Sequence, residues 1–198
     1  TYVIAGDGCL MEGISQEVIS LAGKLRLKKL IVIWDDNGIT IDGGVNLSCN
    51  TDQISRFQSS GWSTFSCDAH NPVEIDQAIC NAKKDSRPSL IAAKSIIGYG
   101  SIAKQGTSGA HGSPLGKIEV EQLRKNLDWG YKEFVIPSDI KDLWSKIGQK
   151  HQKVFKDWSE RFDSLSEKKR TAFLNELDQV FPPKLTRGIK SFKKIYSQ

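Results

Sequence analysis

A chain of 198 residues holds one ordinary domain and a modest appendage, and its 38% hydrophobic and 26% charged content excludes a disordered or fibrous protein. The net charge of +5 is C-terminal in origin: residues 1–116 carry ten Lys/Arg against eleven Asp/Glu, and residues 117–198 carry eighteen against twelve. The two signs are interleaved in the basic stretch without aromatic-basic patterning, so a solvated helical surface is expected there and no nucleic-acid partner.

The chain opens on Tyr2-Val3-Ile4-Ala5, a short apolar run that ends in Gly6-Asp7-Gly8 and predicts a buried strand leading into a turn. A strand beginning this abruptly at Thr1 predicts a piece of a longer polypeptide. From Glu12 to Leu27 the period changes, with Ile14, Val18, Leu21, Ala22 and Leu25 on one helical face. Leu30-Ile31-Val32-Ile33-Trp34 is uninterrupted and apolar, as suits a central parallel strand covered on both sides.

Further helices are expected near Asp52–Ser59 and Val73–Lys84, with strands near Trp62–Ser66 and Ser89–Lys94. Strands alternating with helices give the α/β class, a doubly wound and mainly parallel sheet, with ligands outside the carboxyl ends of its strands. Gly6–Gly8 and Asp35–Ile39 fall at such ends. Ile97–Gly116 is rich in Gly, Ser and Thr and too long for a plain connector, which marks it as a candidate active-site loop. Helical periodicity returns over Ile118–Leu127 and Ser138–Leu177, and Pro182-Pro183 breaks the chain before the basic stretch Leu185–Gln198. The domain reading is 1–137 for the α/β part and 138–198 for a helical, basic linker or tail.

Cys9, Cys49, Cys67 and Cys80 are too widely and irregularly spaced for a zinc site, and read as reduced thiols. No apolar run reaches the ~20 residues of a membrane helix and no charged-then-apolar leader is visible. No membrane partner is expected, and the cytoplasm is the default compartment.

The chemistry concentrates at the two strand ends. Gly8 lets the backbone approach a ligand and present its N–H to a phosphate oxygen, while Asp7 supplies a hard oxygen for a divalent cation. At the second end, the Asn37 amide oxygen and the Ile39 carbonyl complete a protein share of one metal. Each segment alone also reads as an ordinary turn; the pair, separated by a helix and a buried strand, favours the site.

Gly-Asp-Gly followed at this distance by Asp-Asp-Asn resembles the thiamine-diphosphate signature. GDGCLMEGISQE (6–17), IVIWDDNGITIDG (31–43), SIIGYGS (95–101) and GAHGSPLG (109–116) are each similar, in the same order, to stretches of transketolases. The resemblance covers residues 1–137 strongly. It implies the thiamine-diphosphate-binding fold, incomplete here, with thiamine diphosphate and magnesium (or calcium or manganese) as cofactors. The metal ligands would be Asp7, Asn37 and the Ile39 carbonyl. Gly6 and Gly8 would lie against the diphosphate, and Ile41 and Ile97 against the thiazolium side, although both isoleucines also read as core residues.

His111 would sit beside the diphosphate and the reacting oxygens of the substrate as the catalytic histidine of this chain, whereas His70 and His151 have no such context and read as surface residues. Glu12 and Glu17 resemble acidic residues of the transketolase dimer interface, though glutamates near a helix start also favour its positive end. Ser108 stands where transketolases often carry a second histidine.

The activity implied is transfer of a two-carbon ketol unit between sugar phosphates, within the pentose phosphate pathway, by a homodimer. The pyrimidine-binding domain and the upstream histidines of that site are not in this sequence, so the chain by itself is expected to be inactive. Alternatives are another thiamine-diphosphate enzyme, such as deoxyxylulose-phosphate synthase, and a non-catalytic fragment or subunit that binds a metal diphosphate or a partner chain.

Overall fold

A computed structural model describes residues Thr1–Ser197. It contains two compact units, the first spanning Thr1–Gly130 and the second beginning at Tyr131.

The first unit is built on a four-stranded parallel sheet of β1 (Tyr2–Gly6), β2 (Ile31–Asp36), β5 (Ser63–Asp68) and β6 (Ser89–Lys94), in the order β1-β2-β6-β5. A two-stranded antiparallel ribbon, β3 (Ile39–Thr40) and β4 (Gly43–Gly44), follows β2. Helices α1 (Asp7–Met11), α2 (Gly13–Lys24), α3 (Gln53–Ser59) and α4 (Pro72–Lys84) connect the strands, and α5 (Lys117–Asn126) closes the unit. The α/β class with a parallel sheet is as the sequence predicts.

Strand alternation divides the core in two. Val32 and Trp34 of β2, with Leu90 and Ala92 of β6, join Leu10, Ile19, Ala22, Phe57 and Trp62 on one face. Ile31 and Ile33, with Ile91 and Ala93, join Ala78 and Ala82 of α4 on the other. The winding explains the division. The path from β1 to β2 and on to β5 advances in one direction, and the return from β5 to β6 reverses it; crossovers of one hand then require α4 on the opposite face.

Three expectations change. The chain turns from β1 directly into α1 at Asp7 rather than through a loop, so the predicted helix Glu12–Leu27 is in fact α2, preceded by a separate helical turn, with Glu12 at the junction in an extended conformation. Of the apolar stripe of that helix only Ala22 faces this chain's sheet: Ile14 and Leu21 are 71% and 58% exposed, and Val18 and Leu25 are exposed too, while Ile19 and Gly23 join Ala22 on the inward side. Periodicity registers an apolar stripe without saying what it packs against. On β1, Ile4 is likewise 80% exposed, although its partner across the ladder, Ile33, packs into the core.

The second unit comprises α6 (Ser138–Asp163), α7 (Glu167–Leu177) and α8 (Pro183–Tyr196). The break predicted at Pro182-Pro183 is a helix start, since proline in the first turn loses no hydrogen bond that a helix would make. Trp158 stacks on Phe162 within α6, with ring centroids 5.3 Å apart, and the contact of Phe162 with Phe173 at 5.4 Å joins α6 to α7. Among the described residues no helix is long and apolar enough to cross a membrane.

Packing between α2 and the turn after α3 is the tightest point of the first core. The Trp62 indole donates to the Ile19 carbonyl at 2.8 Å, and Phe57 meets the Trp62 ring edge-on at 4.9 Å. Directly beneath, a Cβ placed on Gly23 would lie 1.8 Å from the Ser60 carbonyl oxygen. Gly23→Ala gains up to about 1 kcal/mol of helix propensity but forces backbone apart, so a net loss of roughly 1–3 kcal/mol is expected. Chemical denaturation checks it; a stabilised variant would show that α2 and the Ser60 turn do not meet as described.

Candidate functional site

The carboxyl ends of β1 and β2 converge on Asp7, whose side chain is only 7% exposed. Its Oδ1 accepts from the Trp34 indole Nε1 at 3.1 Å and its Oδ2 from the Gly38 backbone N–H at 2.9 Å. Gly38 has φ +72, a left-handed conformation that lets the chain leave β2 and turn its amide back towards Asp7. Burial pushes the Asp7 carboxyl above the ordinary aspartate range. The Trp34 and Gly38 donors oppose the shift, and the charges of Asp36 and Asp35 reinforce it.

Asn37 is held in one orientation. Its Nδ2 donates to Asp35 Oδ2 at 3.1 Å, and its Oδ1 accepts from the Ile39 N–H at 2.9 Å. Asp35 in turn accepts from the Ser95 hydroxyl, just after β6. The amide oxygen therefore sits on the ribbon side and the amide nitrogen on the sheet side, an assignment that follows from the hydrogen bonds.

A cavity of about 550 Å³ opens over these residues. It is lined by Gly6, Asp7, Gly8, Glu12, Asn37, Ile39, Ile41, Ile97 and His111, together with Cys9, Met11, Asp35, Thr40, Asp42 and Ser48. All the sequence-predicted site residues except Glu17 are thus brought together. Glu17 lies exposed on α2 and outside the cavity. Ile41 is 73% exposed and Ile97 half-buried, so neither is a core residue of this unit.

The donor set fits a hard cation shared with a diphosphate. Asp7 and Asn37 each keep a free lone pair on the oxygens described, and among the described residues no group of three or more His, Cys, Asp or Glu forms a metal cage. One carboxylate, one amide and one carbonyl would leave much of the charge balance to phosphate oxygens, as magnesium sites commonly do. A Cβ on Gly6 or Gly8 would meet nothing within 4 Å, so the backbone there borders open space that a ligand can fill.

His111 arrives from the Ile97–Gly116 loop, which has its own internal framework. Gly106 N–H donates to the Ile97 carbonyl at 2.8 Å, and Glu119 of α5 accepts from Ser101 Oγ at 2.6 Å and from Ala103 N–H at 2.8 Å. These donors, Ser101 first, hold the Glu119 carboxyl below its ordinary range. A 3₁₀ turn at Ser108–Ala110 ends at His111, whose N–H donates to the Ser108 carbonyl at 2.9 Å. The His111 ring is exposed and makes no hydrogen bond within the described residues.

Sequence reading missed Trp34, taken only as strand filling, and the Asp35–Ser95 pair, whose members lie 60 residues apart. The polar indole nitrogen at a strand end beside Asp7 was a usable signal; the second pairing needs the sheet register.

Residues 1–182 match the family model "Transketolase, thiamine diphosphate binding domain". The chain is 47% identical to a transketolase of Rhodobacter capsulatus over 197 residues, covering 100% of this chain and 29% of that protein. It is 48% identical to a Cereibacter sphaeroides transketolase, covering 83% and 25% respectively. The solved structure of Leishmania mexicana transketolase superposes with a TM-score of 0.84 at 32% identity, over 92% of this chain and 28% of that one. A Pichia stipitis transketolase solved in complex with sedoheptulose 7-phosphate gives a TM-score of 0.77 at 40% identity, over 83% and 25%. The chain thus spans under a third of the length of these relatives.

The Trp34–Asp7 bond has a measurable consequence. A carboxyl whose folded pKa is raised contributes stability that is complete below its unfolded value, near ~3.9, and is lost as pH rises through the folded value. Trp34→Phe removes a donor that lowers this pKa, so its stability deficit should grow as pH rises from 4 to 7. The lost bond goes to a charged acceptor at the upper end, for which about 1.5–3 kcal/mol is expected. Urea denaturation across that range reads it, and a deficit independent of pH would break the assignment.

Proposed function

Since the chain belongs to the transketolase family, we propose that it holds the metal-diphosphate end of thiamine diphosphate in an enzyme that passes a two-carbon ketol unit from a ketose phosphate to an aldose phosphate. The observation that carries this reading is the buried Asp7 facing Asn37, Ile39 and the open backbone at Gly8 across one cavity. When bound, thiamine diphosphate supplies the nucleophilic carbon for the transfer.

The chain's own residues bind and orient. Asp7, the Asn37 amide oxygen and the Ile39 carbonyl would hold a divalent cation, magnesium by the hardness of the donors, with calcium or manganese acceptable to the same set. The Gly8 N–H would meet a diphosphate oxygen, close to Gly6. Ile41 and Ile97 would exclude water from the thiazolium side, strengthening the polar interactions beside it. His111, whose ring has no hydrogen-bond partner among the described residues, would donate hydrogen bonds to, or move protons at, the substrate's reacting oxygens.

Glu12 borders the cavity while Glu17 does not; both would belong to an acidic network at the dimer interface, with Glu12 nearer the cofactor. The exposed stripe of Ile14, Val18, Leu21 and Leu25 beside them supports a homodimer as the working assembly. Substrates would be sugar phosphates, and the pyrimidine-binding part of the active site would come from outside these residues, which span under a third of the length of the relatives.

Titration calorimetry with thiamine diphosphate, with and without magnesium, tests the binding half. Asp7→Ala and Asn37→Ala should each weaken magnesium-dependent binding by at least 10–100-fold, the scale seen when even outer-shell partners of a metal are removed; unchanged magnesium dependence in either would refute the ligand set. For the catalytic half, His111→Ala in a preparation active in ketol transfer should lower turnover by roughly 10²–10⁴-fold with no shift in thermal melting. An unaltered rate, or an unfolded variant, counts against that role.

A further inference from the structure

The loop that brings Ile97 and His111 to the cavity must be held against the sheet, and the contact that does so on the β5 side is a histidine outside the cavity. His70 lies on the tight turn between β5 and α4, and its Nε2 accepts from the Ile96 backbone N–H at 3.1 Å. Its ring stacks on Tyr99, with centroids 4.0 Å apart and planes 24° from parallel. Accepting at Nε2 leaves Nδ1 to carry the ring proton, an assignment that follows from the hydrogen bond.

The turn itself is rigidly built. His70 N–H donates to Asp68 Oδ1 at 2.8 Å, Ala69 N–H to the Lys94 carbonyl at 2.9 Å, and Asp68 N–H to Glu74 Oε2 at 2.9 Å. Asn71, next in sequence, caps α4 by accepting from Val73 N–H at 3.1 Å. A fixed turn thus presents a fixed acceptor to the first loop residues after β6.

The grip passes on by short steps. Ile97 follows Ile96 directly, and its carbonyl holds Gly106. Gly98, with φ +65, packs so closely on the far arm that an added Cβ would lie 2.9 Å from Cβ of Ala110, the neighbour of His111.

We propose that His70 is a positioning residue for the cavity, its Nε2 and ring fixing Ile96–Tyr99 so that Ile97 and His111 stand over Asp7 and Asn37. The proposal rests on the reading of that cavity as the thiamine-diphosphate site, and it reaches beyond the family assignment because His70 itself lies outside the cavity lining.

Two variants separate the parts. His70→Phe keeps an aromatic ring against Tyr99 and removes the acceptor, whereas His70→Gln places a carbonyl oxygen near the Nε2 position and restores it. Amide hydrogen exchange on the ligand-free full chain reads the loop directly. In His70→Phe, exchange at Ile96 and Gly106 should quicken about tenfold, the equivalent of one lost hydrogen bond, with β5 and β6 amides unchanged; His70→Gln should return to near the wild-type rates. Titration with magnesium and thiamine diphosphate should then show affinity lost in His70→Phe and recovered in His70→Gln.

Wild-type exchange rates in His70→Phe, equal loss of protection through β5 and β6, or no recovery in His70→Gln would each overturn the proposal. If exchange responds as stated while wild-type protein binds no thiamine diphosphate, the cofactor reading fails and His70 remains the anchor of the loop. Affinity unchanged in His70→Phe despite a loosened loop would overturn positioning of the cofactor site.

Discussion

A carboxylate buried where two parallel strands end is the constraint on which the rest of the site depends. Asp7 is removed from water, and an uncompensated charge there would be costly. The Trp34 indole and the Gly38 amide, both contributed by β2 and its exit, approach the two oxygens separately. That arrangement ties the ends of β1 and β2 together and explains why Trp34 occupies a strand position that any large apolar residue would otherwise fill. It also fixes the exit from β2, because Gly38 must turn left-handed to aim its N–H inward, and the ribbon bearing Ile39 and Ile41 follows from that turn.

From this tie the cavity assembles by successive anchors, Asp7 buried and the next ones half-buried. Asn37 is oriented by Asp35, Asp35 by Ser95, and Ser95 belongs to the start of the loop that carries Ile97 and His111. The loop is then braced by His70 on one side and by Glu119 of α5 on the other. Long loops are usually the mobile part of a site. Here the first turn of the loop is tied by the His70–Ile96 and Gly106–Ile97 hydrogen bonds, and the His111 ring is exposed.

The readability of the chain divides along a physical line. Features fixed by neighbouring residues were legible: the continuous apolar runs of β1, β2 and β6, the polar strand ends, and the glycine-rich loop. Features fixed by register were not. The Asp35–Ser95 and His70–Ile96 bonds join residues 60 and 26 positions apart, and only the alignment of β2 on β6 and of β5 on β6 brings them together. His70, read from sequence as an idle surface residue, is exposed and yet engaged through both its ring face and its nitrogen. The ribbon of β3 and β4 was missed because two-residue strands carry no periodicity. The turn of α1 was missed because Gly-Asp-Gly favours a loop locally, while the tie on Asp7 draws it into a helix start.

The same division accounts for the misplaced face of α2. Amphipathic period alone selects Ile14, Val18, Leu21, Ala22 and Leu25 as one face, and within this chain all of these but Ala22 point outward. The inward side is made of Ile19, Ala22 and Gly23, small enough to let α2 descend onto the Ser60 carbonyl and the Trp62 ring. One side of α2 packs on the sheet that positions Asp7. The other begins at Ile14, two residues after Glu12 at the rim of the cavity, and is exposed, so the helix that fixes the core on one side carries an apolar surface next to the site on the other.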